Sequence, residues 1–262
     1  MHNLNQLETG PKPEVPIRKG TLFVTGGSHG IGEDILRLLA PRYPAAFNFD
    51  HDSPEQFDVR DHAALEQAFN ETLSPTTQND LVIAAGVFVP KDFLEQTSAE
   101  VTFVLDTNIT GALLTSQAFL RWHEQRQHPI KPNIVIISSI SAFYPGGKTN
   151  VVYDATKAAL SNMVKNLANY CAVNAVEPGT IRGTEIGAWK PDFSKDESSK
   201  AIVDHGQEGD VESCGIEILK SDISDVVEQL LFRNPRGAIN GTTIKVDGGM
   251  TARRSRFCSS EE

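Results

Sequence analysis

In the run VVYDATKAALSNMVKNLANY, residues 151–170, Tyr153 and Lys157 stand four apart in a segment with helical apolar spacing, which puts both on one face. A phenol with a pKa of about 10 is a poor acid or base at neutral pH. An ammonium beside it favours phenolate and lets it exchange a proton with an alcohol or carbonyl oxygen. Spacing alone does not make such a pair. Tyr144 also has a lysine four residues on, Lys148, but YPGGK cannot be helical, so those two share no face. Just upstream, ISSISAFYPGG places Ser138, Ser139 and Ser141 at the C-terminal end of an apolar run, where open α/β sheets bind ligands. A hydroxyl there can donate to a substrate oxygen and stabilise developing charge, and which of the three does so stays open. Asn108, in DTNITG, opens the preceding helix, where its plainest role is a cap or turn.

What must hold these residues is an alternation of short apolar runs and amphipathic segments. The runs are TLFV (21–24), AAFNF (45–49), LVIAA (81–85), NIVIIS (133–138), AVNAV (172–176) and TTIKV (242–246). Between them Ile31, Ile35, Leu38 and Leu39 share a face, as do Ile109, Leu113 and Leu114, and then Ala155, Ala159, Met163 and Leu167. The pattern predicts an α/β fold: a Rossmann-like, doubly wound parallel sheet covered on both faces, in a single domain. One connection is short. About six residues, His51 to Gln56, separate the second run from FDVRD, whereas a helical crossover between parallel strands takes about a dozen or more. The second crossover is therefore expected to be a shortened loop, leaving the adenosine end of any nucleotide more open. An extended leader (1–20) is expected before the domain (21–250), and a tail (251–262) after it. Segment 183–221, acidic and carrying Trp189 and Phe193, has the character of an excursion that closes over a substrate.

The stretch TLFVTGGSHGIG follows the first strand and opens the first helix. In that context Gly26, Gly30 and Gly32 would give a tight turn, close backbone approach to a pyrophosphate and close helix packing. The helix N-terminus, Ile31 included, adds free N–H groups, and Ser28 a hydroxyl. Eighteen positions beyond Gly32, Asp50 ends the second strand, where its carboxylate can accept from both adenosine-ribose hydroxyls.

Taken in order, TGGSHGIG, DVRD, NITG, ISS, YDATK, NAVEPGTI and INGTTIKVDGG make the chain resemble the short-chain dehydrogenase/reductase family over about residues 20–250. The resemblance implies that Tyr153 is the general acid/base and that Lys157 lowers its pKa and holds the nicotinamide ribose. It implies that Ser139 orients the substrate carbonyl and Asn108 anchors a water in a proton relay. Asp58 and Val59 would flank the adenine, Ala85 and Gly86 would line the adenosine side, and Gly179 and Ile181 would make backbone contacts to the nicotinamide. The family's usual assembly is a tetramer through the helices at 108–127 and 153–170, where Ala155, Ala158 and Ala159 would permit close packing. Two departures stand out. The family's Asn-Asn-Ala-Gly is here IAAG (83–86), and Ser139 lies fourteen residues before Tyr153, one more than the family leads one to expect.

The expected activity is hydride transfer between a nicotinamide cofactor and a secondary alcohol or ketone. Within the enzymes the alternative is a dehydrogenase of cyclic dihydrodiols, and in another class a non-catalytic cofactor-binding protein on the same fold. Asp50 would repel a 2′-phosphate, and His29, where NADP-preferring relatives carry Arg or Lys, is mostly neutral, so NAD is favoured and NADP remains possible. With 34 acidic against 24 basic residues the formal net charge is −10, which disfavours nucleic acid and anionic membranes as partners. No stretch is long and apolar enough to span a bilayer, and the N-terminus lacks the apolar core of a secretory signal. Cys171, Cys214 and Cys258 are widely spaced, without metal-ligand spacing, and fit reduced thiols in a cytoplasmic homo-oligomer.

Overall fold

The computed structural model describes residues 17–54, 56–181, 218–234 and 237–252. Six parallel strands, β1 (Gly20–Thr25), β2 (Ala45–Phe49), β3 (Gln78–Ile83), β4 (Asn133–Ile137), β5 (Ala172–Pro178) and β6 (Thr243–Val246), form one sheet in the order β2-β1-β3-β4-β5-β6. Val82 of β3 lies between Val24 of β1 and Val135 of β4, which fixes the register through the middle of the sheet. Alternate side chains leave on opposite faces. Phe23, Leu81, Ile134 and Val173 pack under α2 (His62–Thr72), α4 (Gly111–Gln125) and α5 (Val151–Leu167). Leu22, Val24, Val82, Val135 and Val176 pack under α1 (Gly30–Leu39) and α6 (Lys220–Phe232). With β2 on one side of β1 and β3 on the other, the chain reverses direction across the sheet at β1, and a crevice opens at the strands' C-terminal ends.

The doubly wound fold and all six runs appear as the sequence leads one to expect. FDVRD, however, forms no strand. After a turn at His51–Pro54, the Phe57 N–H donates to the Asp50 carbonyl, and the chain enters α2 behind its N-cap, Asp61, whose side chain accepts from the Ala64 amide. The loop is short, and α2 itself is the crossover from β2 to β3. β2 is therefore an edge strand. The excursion ends earlier than its composition suggests: Ile218 bridges to Ile181, and α6 has begun by Lys220. Trp189, Phe193, Cys214 and Cys258 lie outside the described residues.

The apolar stripes of α4 and α5 are rotated from the expected ones. Leu113 is 47% exposed and Ala155 faces solvent. The sheet side of α4 carries Ala112, Thr115, Ser116 and Phe119, and that of α5 carries Val152, Thr156, Lys157, Leu160 and Val164. Thr115 and Ser116 donate to the carbonyls of Gly111 and Ala112, so their hydroxyls are satisfied within the helix and bury as small side chains. A hydrophobicity count misses such positions. Between Ser98–Leu105 (α3) and α4, residues Asp106–Thr110 form a π-helical turn, so Asn108 neither caps nor starts a helix. Widened turns of this kind often mark functional sites.

Candidate active site

The crevice is floored by the glycine loop. Gly26 adopts φ +70°, and a Cβ there would lie 2.6 Å from the Ala85 Cα, while one on Gly32 would lie 2.0 Å from the Gly26 carbonyl oxygen. Both glycines are demanded by backbone packing. Gly30 differs: its φ is +60° and a Cβ would meet nothing within 4 Å, only the cavity. No side chain caps α1, so Gly30, Ile31 and Gly32 present first-turn amides along the cavity wall.

Asp50 sits across from these amides. Its two carboxylate oxygens accept from the amides of Ser28 (3.0 Å) and Asp52 (2.9 Å), which fixes an acceptor-only group at the mouth of β2. Ser28 itself is not on the cavity wall, and its hydroxyl accepts from Asn48 Nδ2. Asn48 also accepts the Gly27 amide, so it ties β2 to the glycine loop. Its one signal in the sequence is an amide side chain in the otherwise apolar AAFNF. His29 Nε2 lies 3.0 Å from Asp52 Oδ2, closing the loop tips over this end. Asp58 and Val59 line the cavity, but the Asp58 carboxylate is gripped by Arg60, which holds it below the usual carboxylate range. Phe57 stacks on Phe49 with ring centroids 4.3 Å apart, so the open end has an aromatic floor. Ala85 and Gly86 follow β3, and the amides of Ala84 and Ala85 donate to Thr25 Oγ1, so IAAG is braced by a threonine from β1.

At the other end α5 brings Tyr153 and Lys157 into the same cavity, with Ser139, Gly179 and Ile181. Ser139 faces the Tyr153 hydroxyl, and that contact favours phenolate. Among the three serines the geometry separates roles. Ser138 is buried and committed to the Lys157 carbonyl and to Ser161, and Ser141 gives its amide to Ser139 Oγ. Only Ser139 stands against Tyr153. Phe88, also missed, packs edge-on against the Tyr153 ring at 5.2 Å.

The net shift of the Tyr153 phenol is upward, not downward. The Lys157 ammonium sits 5.4 Å from the centre of the Tyr153 ring and donates to the Ile137 carbonyl at 3.1 Å. Burial dominates instead, pushing Tyr153 up to about 12 and Lys157 down to about 8. Asn108 is fully buried behind them. Its Oδ1 accepts the Val87 amide and its Nδ2 donates to the Val87 carbonyl and Thr156 Oγ1. A Cβ on Gly86 would lie 3.5 Å from both Asn108 Oδ1 and Lys157 Nζ, so Asn108 abuts the face that carries Lys157 without lining the cavity.

Comparison with known proteins bears on this arrangement. A family model described as Enoyl-(Acyl carrier protein) reductase matches residues 39–251, which takes in Asn108, Ser139, Tyr153 and Lys157. The chain belongs to the short-chain dehydrogenase/reductase family. A tropinone reductase homologue of Arabidopsis thaliana is 27% identical over 268 residues, covering 92% of this chain and 94% of the relative, so the family likeness extends over the glycine loop. Among solved structures, a 4-hydroxyisoleucine dehydrogenase complexed with NADH superposes with TM-score 0.71 at 24% identity, over 90% of this chain and all of the other. A small-chain dehydrogenase in complex with NADPH does so with TM-score 0.68 at 21% identity, over 90% and all of the two chains. The protein is thus a nucleotide-binding oxidoreductase of a family whose members act on small molecules. No helix of the described residues is long and apolar enough to cross a membrane.

Proposed function

We propose that the protein moves a hydride between NAD(H) and the carbinol or carbonyl carbon of a small secondary alcohol or ketone, with Tyr153 as general acid/base. One observation carries the reading: the Tyr153 hydroxyl, Ser139 and Lys157 meet in the same cavity that the glycine loop and Asp50 line. The residues fit a dinucleotide. The space beyond Gly30 and the uncapped amides of α1 suit a pyrophosphate, and Asp50 suits a ribose diol. Asp58 and Val59 flank the adenine end, and Gly179 and Ile181 the nicotinamide end. When bound, the nicotinamide supplies or accepts the hydride.

The chain's own groups handle the proton. At neutral pH burial keeps Tyr153 as the phenol and Lys157, with its pKa near 8, largely as the ammonium. The phenol is then ready to donate to a ketone oxygen, which Ser139 orients by a second hydrogen bond. Lys157, held by Ile137, places positive charge beneath the Tyr153 ring and stabilises the phenolate as the proton leaves. Asn108 fixes the Val87 turn beside it. Asp50 would repel a 2′-phosphate, and His29 is engaged with Asp52, which supports NAD over NADP. A kcat/KM for NADPH tenfold above that for NADH would overturn that preference. The acidic segment 183–221 supports a neutral or weakly cationic, partly apolar substrate. Outward-facing Ala155 and Leu113 support a tetramer through α4 and α5.

Tyr153→Phe tests the central assignment. It is expected to lower kcat by about 10³-fold while NADH binding, followed by nicotinamide fluorescence, stays within about threefold. Retention of a tenth or more of the activity would assign the proton to another group. Unchanged biological function without turnover would favour a cofactor-binding regulatory role.

A further inference from the structure

The π-helical turn Asp106–Thr110 carries a hydroxyl that the proposed mechanism does not use. Thr107 is 9% exposed and lines the cavity, yet its Oγ1 is buried with no hydrogen-bond partner among the described residues. The turn is wedged between two parts of the adenosine end. Gly111, just after it, packs so closely on Val59 that a Cβ there would lie 2.8 Å from Val59 Cγ2. Asn108, within it, grips both the N–H and the carbonyl of Val87, next to Gly86. Thr107 therefore meets the cavity between Val59 on one side and Gly86 on the other.

A threonine on a helix has a ready partner in the carbonyl four residues earlier, which Thr115 uses on Gly111. Thr107 makes no such bond: the carbonyl in that place belongs to Phe103 and accepts the Asp106 amide. Burying a hydroxyl without a partner is costly, and valine would fill the same space without that cost. Packing alone therefore does not account for a threonine here. The neighbouring carboxylate is already engaged. Asp58 accepts through both oxygens from the Arg60 amide and guanidinium, in four contacts, which fills the capacity of a carboxylate.

We infer that Thr107 is a cofactor-contacting residue whose hydroxyl hydrogen-bonds the adenosine half of the dinucleotide. Threonine on a helix divides between two rotamers, so a turn about one bond brings Oγ1 to the cavity without moving the backbone. There it donates to a ring nitrogen, or accepts from an amino group or a sugar hydroxyl, and either partner satisfies it. The inference rests on the dinucleotide reading of the cavity and deepens it, because it names a polar group for the adenosine where Asp58 is taken by Arg60. One widened turn then serves two purposes: Asn108 braces the chain beside Lys157, and Thr107 contacts the nucleoside.

Thr107→Val removes the hydroxyl and keeps the shape. Without cofactor the variant is expected to melt about 2–4 °C above wild type, since the unpaired hydroxyl is gone, while its Kd for NADH, followed by nicotinamide fluorescence, rises about tenfold. ADP-ribose, titrated by calorimetry, should lose affinity by the same factor. Reduced nicotinamide mononucleotide, which lacks the adenosine, should keep its kcat/KM within about twofold. Thr107→Ser restores the hydroxyl and should bring the Kd for NADH back to within about threefold of wild type. Unchanged affinity of Thr107→Val for NADH and ADP-ribose would refute the contact. An equal loss with the mononucleotide would also refute it, by placing the effect on the frame around Tyr153 and Lys157. A cofactor-free variant that melts below wild type would show the hydroxyl already satisfied in the free protein, and would overturn the inference as well. Wild type that binds neither NADH nor NADPH would bring down the dinucleotide reading itself, a result separate from any difference between the variants.

Discussion

Lys157 is 5% exposed, and among the described residues its ammonium has one hydrogen bond, to Ile137, and the face of the Tyr153 ring. Burial lowers its pKa from 10.5 to about 8. At about 1.4 kcal/mol for each pH unit, carrying that charge at pH 7 costs the fold about 3 kcal/mol. Lys157→Met fills the same volume without the charge. It also leaves the Ile137 carbonyl without this donor, a loss of about 1 kcal/mol. The net expectation is a gain of about 2 kcal/mol and a rise in Tm of about 4–8 °C, alongside loss of turnover. The sign with pH is fixed by linkage. Below pH 8 native and unfolded chains both carry the proton, and the penalty is present in full. Between 8 and 10.5 the unfolded chain binds it and the native chain does not, so wild-type stability rises relative to the variant. The advantage of Lys157→Met should therefore fall by about 2 kcal/mol between pH 7 and 9.5. Urea titrations of both proteins at the two pH values measure it. A variant less stable than wild type at pH 7, or a pH-independent gap, would show that the ammonium is not an electrostatic burden.

Three further outcomes are expected. Gly30→Ala leaves the fold almost intact, at a cost of about 1 kcal/mol for its positive φ, but weakens NADH binding at least tenfold, whereas Gly32→Ala drives a methyl into the Gly26 carbonyl and lowers stability by about 2–4 kcal/mol; thermal melts and NADH titration separate the two. Asp50→Asn keeps one acceptor oxygen for the Ser28 or the Asp52 amide, turns an NH2 towards the other and removes the charge, so the ratio of kcat/KM for NADPH to that for NADH should rise about tenfold, an effect of about 1.4 kcal/mol, with a small loss of stability from the amide left unpaired. His123, 6% exposed, is held neutral between the Phe119 carbonyl and Asn79, with His128 packed on its ring, and burial lowers its pKa to about 4. Its contribution is complete above pH 6.5 and is lost as pH falls towards 4, so wild type should lose about 2–3 kcal/mol relative to His123→Phe between pH 7 and 4.5.

Much of this was legible in the sequence because the governing constraints are local. The six apolar runs became the six strands, since a strand buried on both faces must be apolar without interruption. The glycine loop was readable because backbone clash at Gly26 and Gly32 admits no other residue type. Tyr153 and Lys157 were readable because four helical residues set their spacing whatever surrounds them. What escaped depends on partners distant in the chain. Asn48 means nothing until β2 lies beside the glycine loop, and Thr107 nothing until its turn is wedged between Val59 and Val87. The stripes of α4 and α5 were misplaced because Thr115, Ser116 and Thr156 satisfy their own hydroxyls on helix carbonyls or on Asn108 and then bury.

The one chemical expectation that failed was the sign of the Tyr153 shift. Adjacency in sequence supplies the attraction of an ammonium for a phenolate, but says nothing about how much water each group keeps. The structure removes water from both, and desolvation pushes a phenol and an ammonium in opposite directions, towards their neutral forms. Two groups separated by about half a pH unit in water become separated by about four, with the phenol the weaker acid. The site at neutral pH is then a neutral phenol above a cationic lysine. On the proposed mechanism the phenol would give up its proton only as negative charge develops on the oxygen it faces, and Lys157 would stabilise a charge that exists chiefly during the reaction. Such differential stabilisation raises turnover, and on that reading it is the reason for keeping an ammonium without which the fold would be more stable.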